Sequence, residues 1–452
     1  MPPKAKNGYK LPAPLPLNLV VEDVNRNKWK LGPSIGKGGF GEIYSAKDAS
    51  SSGSSFPYVV KIEPHKNGPL FVEMHFYMRN GKEDQIQEFK VKKKLASLGM
   101  PKYIASGSHE HNGEKYRFVV MEKFGSDIWK IFLENDRRFS PDIVFKLGVQ
   151  ILDVLEYIHS QGYIHADIKG PNILLGPDAE SDSQVYLVDF GLCSHYSASE
   201  KPDPKKAHNG TIEYVSRDGH LGIESRRGDL ECLGYNLVQW LGCALPWEVD
   251  LSDPKIVQQS KIDNMKNLTT FFKKCFSDGK PPGAISEYMK YVSTLKFGID
   301  PDYGKLRKIL VKGVEAAGGS MKAPFGFKTS KSSPAKRKIA AKSPTPKKKT
   351  KVVAKKTKAT KTAKPVAENR EKDVEEDNEV NVENGQEAED NMVGYTDEMK
   401  NIKKKLDEKK KKAVKPVSVA EPRPLRVRKE INYSDNSPKD NPKRTATTKK
   451  RS

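Results

Sequence analysis

Two short stretches hold residues able to do chemistry together. His165-Ala166-Asp167-Ile168-Lys169-Gly170-Pro171-Asn172 reads H-x-D-x-K-x-x-N, and Asp189-Phe190-Gly191 begins seventeen residues after Asn172. A carboxylate, an ammonium and an amide at this spacing suit phosphoryl transfer. That reaction asks little covalent work of a protein; it needs the acceptor hydroxyl placed in line and charge absorbed by a bound cation. Asp167 would orient the hydroxyl and take its proton, and Lys169 would neutralise charge on the moving phosphoryl group. Asn172 and Asp189 supply the oxygen donors that Mg2+, a hard cation, prefers.

Such loops need rigid ends. Ile173-Leu174-Leu175 and Val185-Tyr186-Leu187-Val188 read as the short strands that fix them. Upstream, Gly36, Gly38 and Gly41 in Ile35-Gly36-Lys37-Gly38-Gly39-Phe40-Gly41-Glu42-Ile43 form G-x-G-x-x-G. Glycine lets backbone amides approach phosphates with no side chain between. In a dinucleotide-binding fold the third glycine opens a helix, whereas Glu42-Ile43-Tyr44-Ser45-Ala46 continues as a strand, which favours a loop folded over ATP. The next strand, Val59-Val60-Lys61-Ile62, matches the V-A-I-K slot. Lys61 would bridge the α and β phosphates and pair with a helical glutamate: Glu73, set among apolar residues, or Glu88 in a second helical stretch. Residues 116–121 read as a strand leading to a hinge, where Met121 backs the adenine and the backbone of Glu122 to Phe124 meets its edge.

Ser140-Pro141-Asp142 is a helix start with proline in the first turn. Apolar residues then recur at helical spacing from Val144 to Ile158, predicting a buried helix that delivers the chain to Asp167. His159 and His165 read as structural. The polar segment running to Asn209 is long enough for an activation loop. Thr211 is expected to bond Asp167 and Lys169, as in enzymes acting on Ser and Thr, and Asp229 to cap the backbone around His165.

The 452 residues include 80 Lys+Arg and 58 Asp+Glu, a formal charge of +22. Residues 323–452 hold 36 of the basic and 19 of the acidic side chains, so most of the excess lies there. This asymmetry points to a nucleic-acid or chromatin partner, or to an import signal. The four cysteines, Cys193, Cys232, Cys243 and Cys275, show no C-x-x-C pairing, so neither a disulfide framework nor a zinc site is expected and a reducing compartment fits. No run approaches the ~18 apolar residues of a membrane span. The chain reads as a flexible leader over 1–25, a globular domain over 26–318, and a Lys-, Pro- and Ser-rich disordered tail over 319–452 with an acidic block near 368–390.

Residues 26 to about 315 resemble the eukaryotic protein kinases. The resemblance implies an α+β bilobal fold, with an N-terminal antiparallel-sheet lobe carrying one key helix, and a mainly helical C-terminal lobe. Ser225-Arg226-Arg227-Gly228-Asp229-Leu230-Glu231 resembles the casein kinase group. Gly68-Pro69-Leu70-Phe71-Val72-Glu73, Phe124-Gly125-Ser126-Asp127 and Tyr186-Leu187-Val188-Asp189-Phe190-Gly191 resemble the vaccinia-related kinases, nearest to their nuclear members, the nucleosomal histone kinases. That implies a chromatin-associated nuclear Ser/Thr kinase that uses ATP and Mg2+; separately, nothing in the sequence calls for an obligate oligomer, so a monomer is expected. Its substrates would be histones, nucleosomes and the small DNA-bridging protein of the nuclear envelope, with roles in mitosis, meiosis and chromatin organisation. A chromatin scaffold with dispensable activity is the alternative. Ala166 stands where many kinases have an arginine that pairs with a loop phosphate, so loop phosphorylation should not be needed. Ser216-Arg217-Asp218 replaces A-P-E. In the tail, Pro346-Lys347-Lys348-Lys349-Thr350-Lys351-Val352 resembles a signal for the nuclear import machinery. The lysine runs should bind DNA non-specifically through counterion release.

Overall fold

The structure, a computed structural model, describes residues 13–38, 41–177 and 183–327. Its N-terminal part is a six-stranded antiparallel sheet in the order β1-β2-β3-β4-β6-β5. The strands are β1 (Val20–Glu22), β2 (Lys28–Lys37), β3 (Glu42–Asp48), β4 (Tyr58–Pro64), β5 (Ala105–His111) and β6 (Glu114–Glu122). Side chains alternate across a strand, so Val60 and Ile62 on β4 enter the core with Tyr44, Phe118 and Val120, while Lys61 between them faces the other way. Lys61 lies opposite Ile43 on β3 and Val119 on β6. Two helices interrupt the sheet: α1 (Pro69–Asn80), begun by its proline, and α2 (Glu83–Lys93).

The rest is mostly helical. Asp127 caps α3 (Ile128–Glu134) by accepting from the Lys130 N–H. The predicted buried helix is α4 (Pro141–Ser160). Three short strand elements follow, β7 (Tyr163–Ile164), β8 (Ile173–Leu175) and β9 (Val185–Leu187), then β10 (Ser194–His195). The helices α5 (Arg217–His220), α6 (Arg226–Trp240), α7 (Pro254–Lys266), α8 (Leu268–Cys275), α9 (Gly283–Thr294) and α10 (Tyr303–Ala316) complete the described chain. Every residue of α6 from Gly228 to Trp240 is buried, which makes it the axis of this lobe: a helix enclosed on all sides needs no amphipathic stripe. The four cysteines are free thiols and buried. No helix among the described residues is long and apolar enough to cross a membrane.

Two expected boundaries move. The leader expected over 1–25 is structured within its span: Val20–Glu22 pair with β2, and Leu15 and Val21 are buried. Asp23 organises the turn, accepting from the N–H groups of Asn25 and Asn27 and from the Trp29 indole. A three-residue edge strand is too short to show a period, so the sequence pattern misses it. At the other end, packing runs past 318. Phe325 is buried, stacks on Phe327, and lies under the Lys146 ammonium. Residues 328–452, with their basic and acidic blocks, lie outside the described residues.

Candidate active site

The catalytic loop is hung from α6. Asp229, in the first turn of that helix, accepts from the His165 N–H at 2.8 Å and the Ala166 N–H at 2.9 Å, and lies 2.9 Å from His159 Nε2. These bonds hold Ala166 at φ +66°, a left-handed conformation that a residue with a Cβ adopts at a cost. About two turns on, Asn236 donates to the Ile168 carbonyl at 2.9 Å. His165 accepts from the Asp167 N–H at Nδ1, so its Nε2–H donates to the Val188 carbonyl. That assigns a neutral ring, and burial lowers its pKa in the same sense. The ring thereby ties the loop to the strand that precedes Asp189.

Asp167, Lys169 and Thr211 form a closed triangle. The Lys169 ammonium donates to Asp167 Oδ2 at 2.6 Å and to Thr211 Oγ1 at 2.9 Å, and Thr211 donates to Asp167 Oδ1 through both its hydroxyl (2.7 Å) and its N–H (2.9 Å). A hydroxyl already sits within hydrogen-bond reach of the carboxylate, the geometry asked of a base that orients an acceptor. Asn172 turns its NH2 to the Asp167 carbonyl at 2.9 Å, which leaves its oxygen as an acceptor.

Across the cleft, Lys61 donates to Glu73 at 2.6 Å and to Asp189 at 2.8 Å. The carboxylate against Lys61 is therefore Glu73 on α1; Glu88 lies exposed on α2. Burial opposes the Lys61 charge, but the Asp189 and Glu73 carboxylates outweigh it and hold its pKa above the ordinary range. Asp189 is held below the ordinary carboxylate range: burial works against its charge, and Lys61 more than compensates. Like Ala166, Asp189 has a positive φ, +66°. Phe190 stacks on Phe76 of α1 with ring centroids 4.0 Å apart and meets the His165 ring at 4.8 Å. This aromatic column keeps α1 seated with the Lys61–Glu73 pair closed. Glu63, two residues beyond Lys61, accepts from the Leu70 N–H at the start of α1.

The nucleotide residues named from sequence line the same end. Ile35, Gly36 and Lys37 lie at the end of β2, with Ile35 half exposed, and Ile43 lies on β3 opposite Gly36. The Gly38 N–H closes the turn on the Gly41 carbonyl at 2.9 Å. A Cβ on Gly41 would lie 2.3 Å from the Ile62 oxygen, so the close strand approach there demands glycine. Gly39 and Phe40 lie outside the described residues. Met121 is buried, Glu122 ends β6, and Phe124 stacks on Tyr186 at 4.4 Å.

The donor set fits a divalent cation carried with a triphosphate. Among the described residues no group of three or more His, Cys, Asp or Glu could hold a metal alone. Asn172 and Asp189 offer a few hard oxygens, and a small dication that shares its shell with phosphate and water needs no more. Lys61 spends two of its three N–H donors on Glu73 and Asp189, leaving one for a phosphate oxygen.

The segment after Asp189 is tied by backbone hydrogen bonds to the stretch that precedes α6. Ser197, Asp203 and His208 donate backbone N–H groups to the carbonyls of Glu224, Leu221 and Gly219. In Ser216-Arg217-Asp218, which replaces A-P-E, the shorter Asp218 side chain still reaches an arginine: Arg227 grips it in bidentate fashion at 2.7 and 2.8 Å. Sequence reasoning missed Asn236 and Lys261. Each is a polar side chain buried on a helix that buries other polar residues too, so no break in an apolar face marks it in the sequence.

The family model for the protein kinase domain matches residues 29–269. Nucleosomal histone kinase 1 of Drosophila melanogaster is 51% identical over 308 residues, covering 67% of this chain and 51% of that one. Serine/threonine-protein kinase VRK2 of Homo sapiens is 42% identical over 316 residues, covering 69% and 62%. The B1 kinase of vaccinia virus (strain Western Reserve) is 37% identical over 305 residues, covering 66% and 98%. The chain thus spans about half the length of the first relative, under two thirds of the second and nearly all of the third. A solved structure of vaccinia related kinase 3 superposes with a TM-score of 0.63 at 27% identity, covering 70% of this chain and 96% of that one.

Proposed function

We infer the reaction from one premise: the chain belongs to the protein kinase family and, within it, to the vaccinia-related kinases. It is a serine/threonine protein kinase that moves the γ-phosphoryl group of ATP to a protein hydroxyl. The observation that carries this reading is the Asp167–Lys169–Thr211 triangle beside the Lys61–Glu73–Asp189 chain. Asp167 takes the hydroxyl proton as the oxygen–phosphorus bond forms and the bond to the β,γ-bridging oxygen breaks, giving ADP and a phosphoprotein. Lys169 offsets the charge spreading over the transferring group. Asn172 and Asp189 hold Mg2+, which supplies charge neutralisation when bound, and Lys61 steadies the phosphates. Ile35, Ile43 and Met121 enclose the adenine.

The targets are chromatin proteins, histones first. The name of the Drosophila relative and the basic excess over 323–452 support this reading. The same basic stretch carries the import signal and adds salt-sensitive DNA binding, and the enzyme works in the nucleus on nucleosomes, histones and the DNA-bridging envelope protein. The test is transfer from labelled ATP to reconstituted nucleosomes by wild type and Asp167→Asn. Transfer by wild type with none by the variant, which should still bind ATP, is expected. Equal transfer by both would remove Asp167 from its role, and no transfer to any histone would end the chromatin reading.

A further inference from the structure

Lys261 sits on α7 and is fully buried. Its ammonium donates to the Ile212 carbonyl at 2.8 Å and the Val215 carbonyl at 2.7 Å, and lies 3.2 Å from His220 Nε2. The rings of Tyr235 and Trp247 lie 5.5 and 5.3 Å from it. All three N–H donors thus meet neutral acceptors, and the charge rests on π-faces rather than on a carboxylate. Burying an ammonium in this way is costly, and an apolar side chain of the same length would fill the space without that cost. What the ammonium does and an apolar chain could not is hold carbonyls.

The carbonyls it holds are those just after Thr211. Tyr214 and Val215 return their N–H groups to the Thr211 carbonyl at 2.8 and 2.9 Å, closing a turn on the residue that completes the Asp167–Lys169 triangle. The other side of Thr211 is held through a relay. An ammonium only donates, so His220 Nε2 accepts and its Nδ1–H donates to His208 Nδ1 at 2.8 Å. His208 itself stands at φ +64°. Residues 208 and 212–215 are thereby anchored from one point on both sides of Thr211. Burial pushes the His220 pKa down to about 3, so that ring is neutral, and lowers that of Lys261 to about 7; either charge state of Lys261 keeps the two N–H donors that the Ile212 and Val215 carbonyls need.

We propose that Lys261 is a positioning residue for the protein acceptor: through the Ile212 and Val215 carbonyls and the His220–His208 relay it fixes the segment that sets Thr211 against Asp167. The inference rests on the kinase reading and adds to it a residue that governs acceptor turnover and leaves ATP alone.

The test compares the full-length protein with Lys261→Met, which keeps the packing and removes the donors, and Lys261→Gln, which keeps a neutral donor. Lys261→Met should lower kcat/KM for the protein acceptor by about tenfold or more, since two buried carbonyls lose their donor. The KM for ATP should not change and Tm should hold or rise. Lys261→Gln should recover part of the loss. In the same variants, hydrogen exchange at the Tyr214 and Val215 amides should quicken in Lys261→Met while that of α4 does not. Wild-type turnover and unchanged exchange in Lys261→Met would overturn the proposal, as would a matched loss of ATP affinity or a fall in Tm that Lys261→Gln shares. Exchange is read without catalysis. Wild type that transfers no phosphate while Lys261→Met loosens only 208–215 would sink the kinase reading and leave the anchoring in place.

Discussion

Replacing Asp229 with asparagine tests whether the catalytic loop is held from α6. The carboxylate is buried and accepts from two backbone N–H groups, one at each oxygen, with the His159 ring against Oδ2. An amide has one accepting oxygen. Whichever way it turns, its NH2 faces either the His165 or the Ala166 N–H, and that donor is left buried without an acceptor. Hydrogen bonds to a charged group are worth about 1.5–3 kcal/mol, and a buried unsatisfied donor costs about 1–3 kcal/mol more. Losing one such bond and weakening the other comes to about 3–5 kcal/mol. For a domain of this size each kcal/mol moves Tm by about 2–4 °C, so Asp229→Asn should melt roughly 10 °C lower. The loop should also loosen at Ala166, whose left-handed φ these bonds maintain. A misplacement worth about 1.4 kcal/mol at the reacting atoms is tenfold in rate, so kcat should fall at least about that far with the KM for ATP unchanged. Scanning calorimetry and steady-state transfer read the two effects. Adding Ala166→Gly to Asp229→Asn should restore roughly 1 kcal/mol, because glycine accepts φ +66° without the Cβ penalty. An Asp229→Asn protein with wild-type Tm and kcat, or one unaffected by the added glycine, would refute the reasoning.

Two further outcomes follow from buried carboxylates. Burial pushes the Glu63 pKa up to about 7, well above the value an unfolded glutamate has. Between those two values the folded state binds the extra proton, so stability should fall as pH rises from about 4.5 to about 7 and level off above. Glu63→Gln, which keeps an acceptor for the Leu70 N–H, should flatten that slope in denaturant titrations; an unchanged slope would assign it to other groups. Asp218→Ala leaves Arg227 without its bidentate partner and should destabilise by about 3–5 kcal/mol. Proteolysis of the folded protein should then cut first within residues 197–208, and a protein cut no faster than wild type there would show that the brace is not what holds the segment.

The legible parts of this protein were those written in contiguous residues. Asp167, Lys169 and Asn172 sit within one loop, the glycines within another, and α4 announces itself through a proline start and an apolar face. Lys61 was legible because it fills the V-A-I-K slot in the strand after the glycine loop, and alternation in β4 then turns it away from the core face of Val60 and Ile62. The edge strand β1 was not, since three residues carry no period and the Asp23 turn that shapes it depends on Trp29. Nor was the end of the domain, where Phe325 packs beyond the last helix.

By itself the sequence determined which side chains were available for phosphoryl transfer and in what local order. It did so because short-range spacing fixes neighbours whatever the rest of the chain does. Only the tertiary structure decided between Glu73 and Glu88 as the carboxylate against Lys61. It also decided that Asp189, 128 residues from Lys61, closes on the same ammonium, and that Lys261 reaches back to the turn after Thr211. These are contacts across long loops. Their geometry comes from how a twisted sheet and a buried helical axis pack, and no local pattern of residues encodes it.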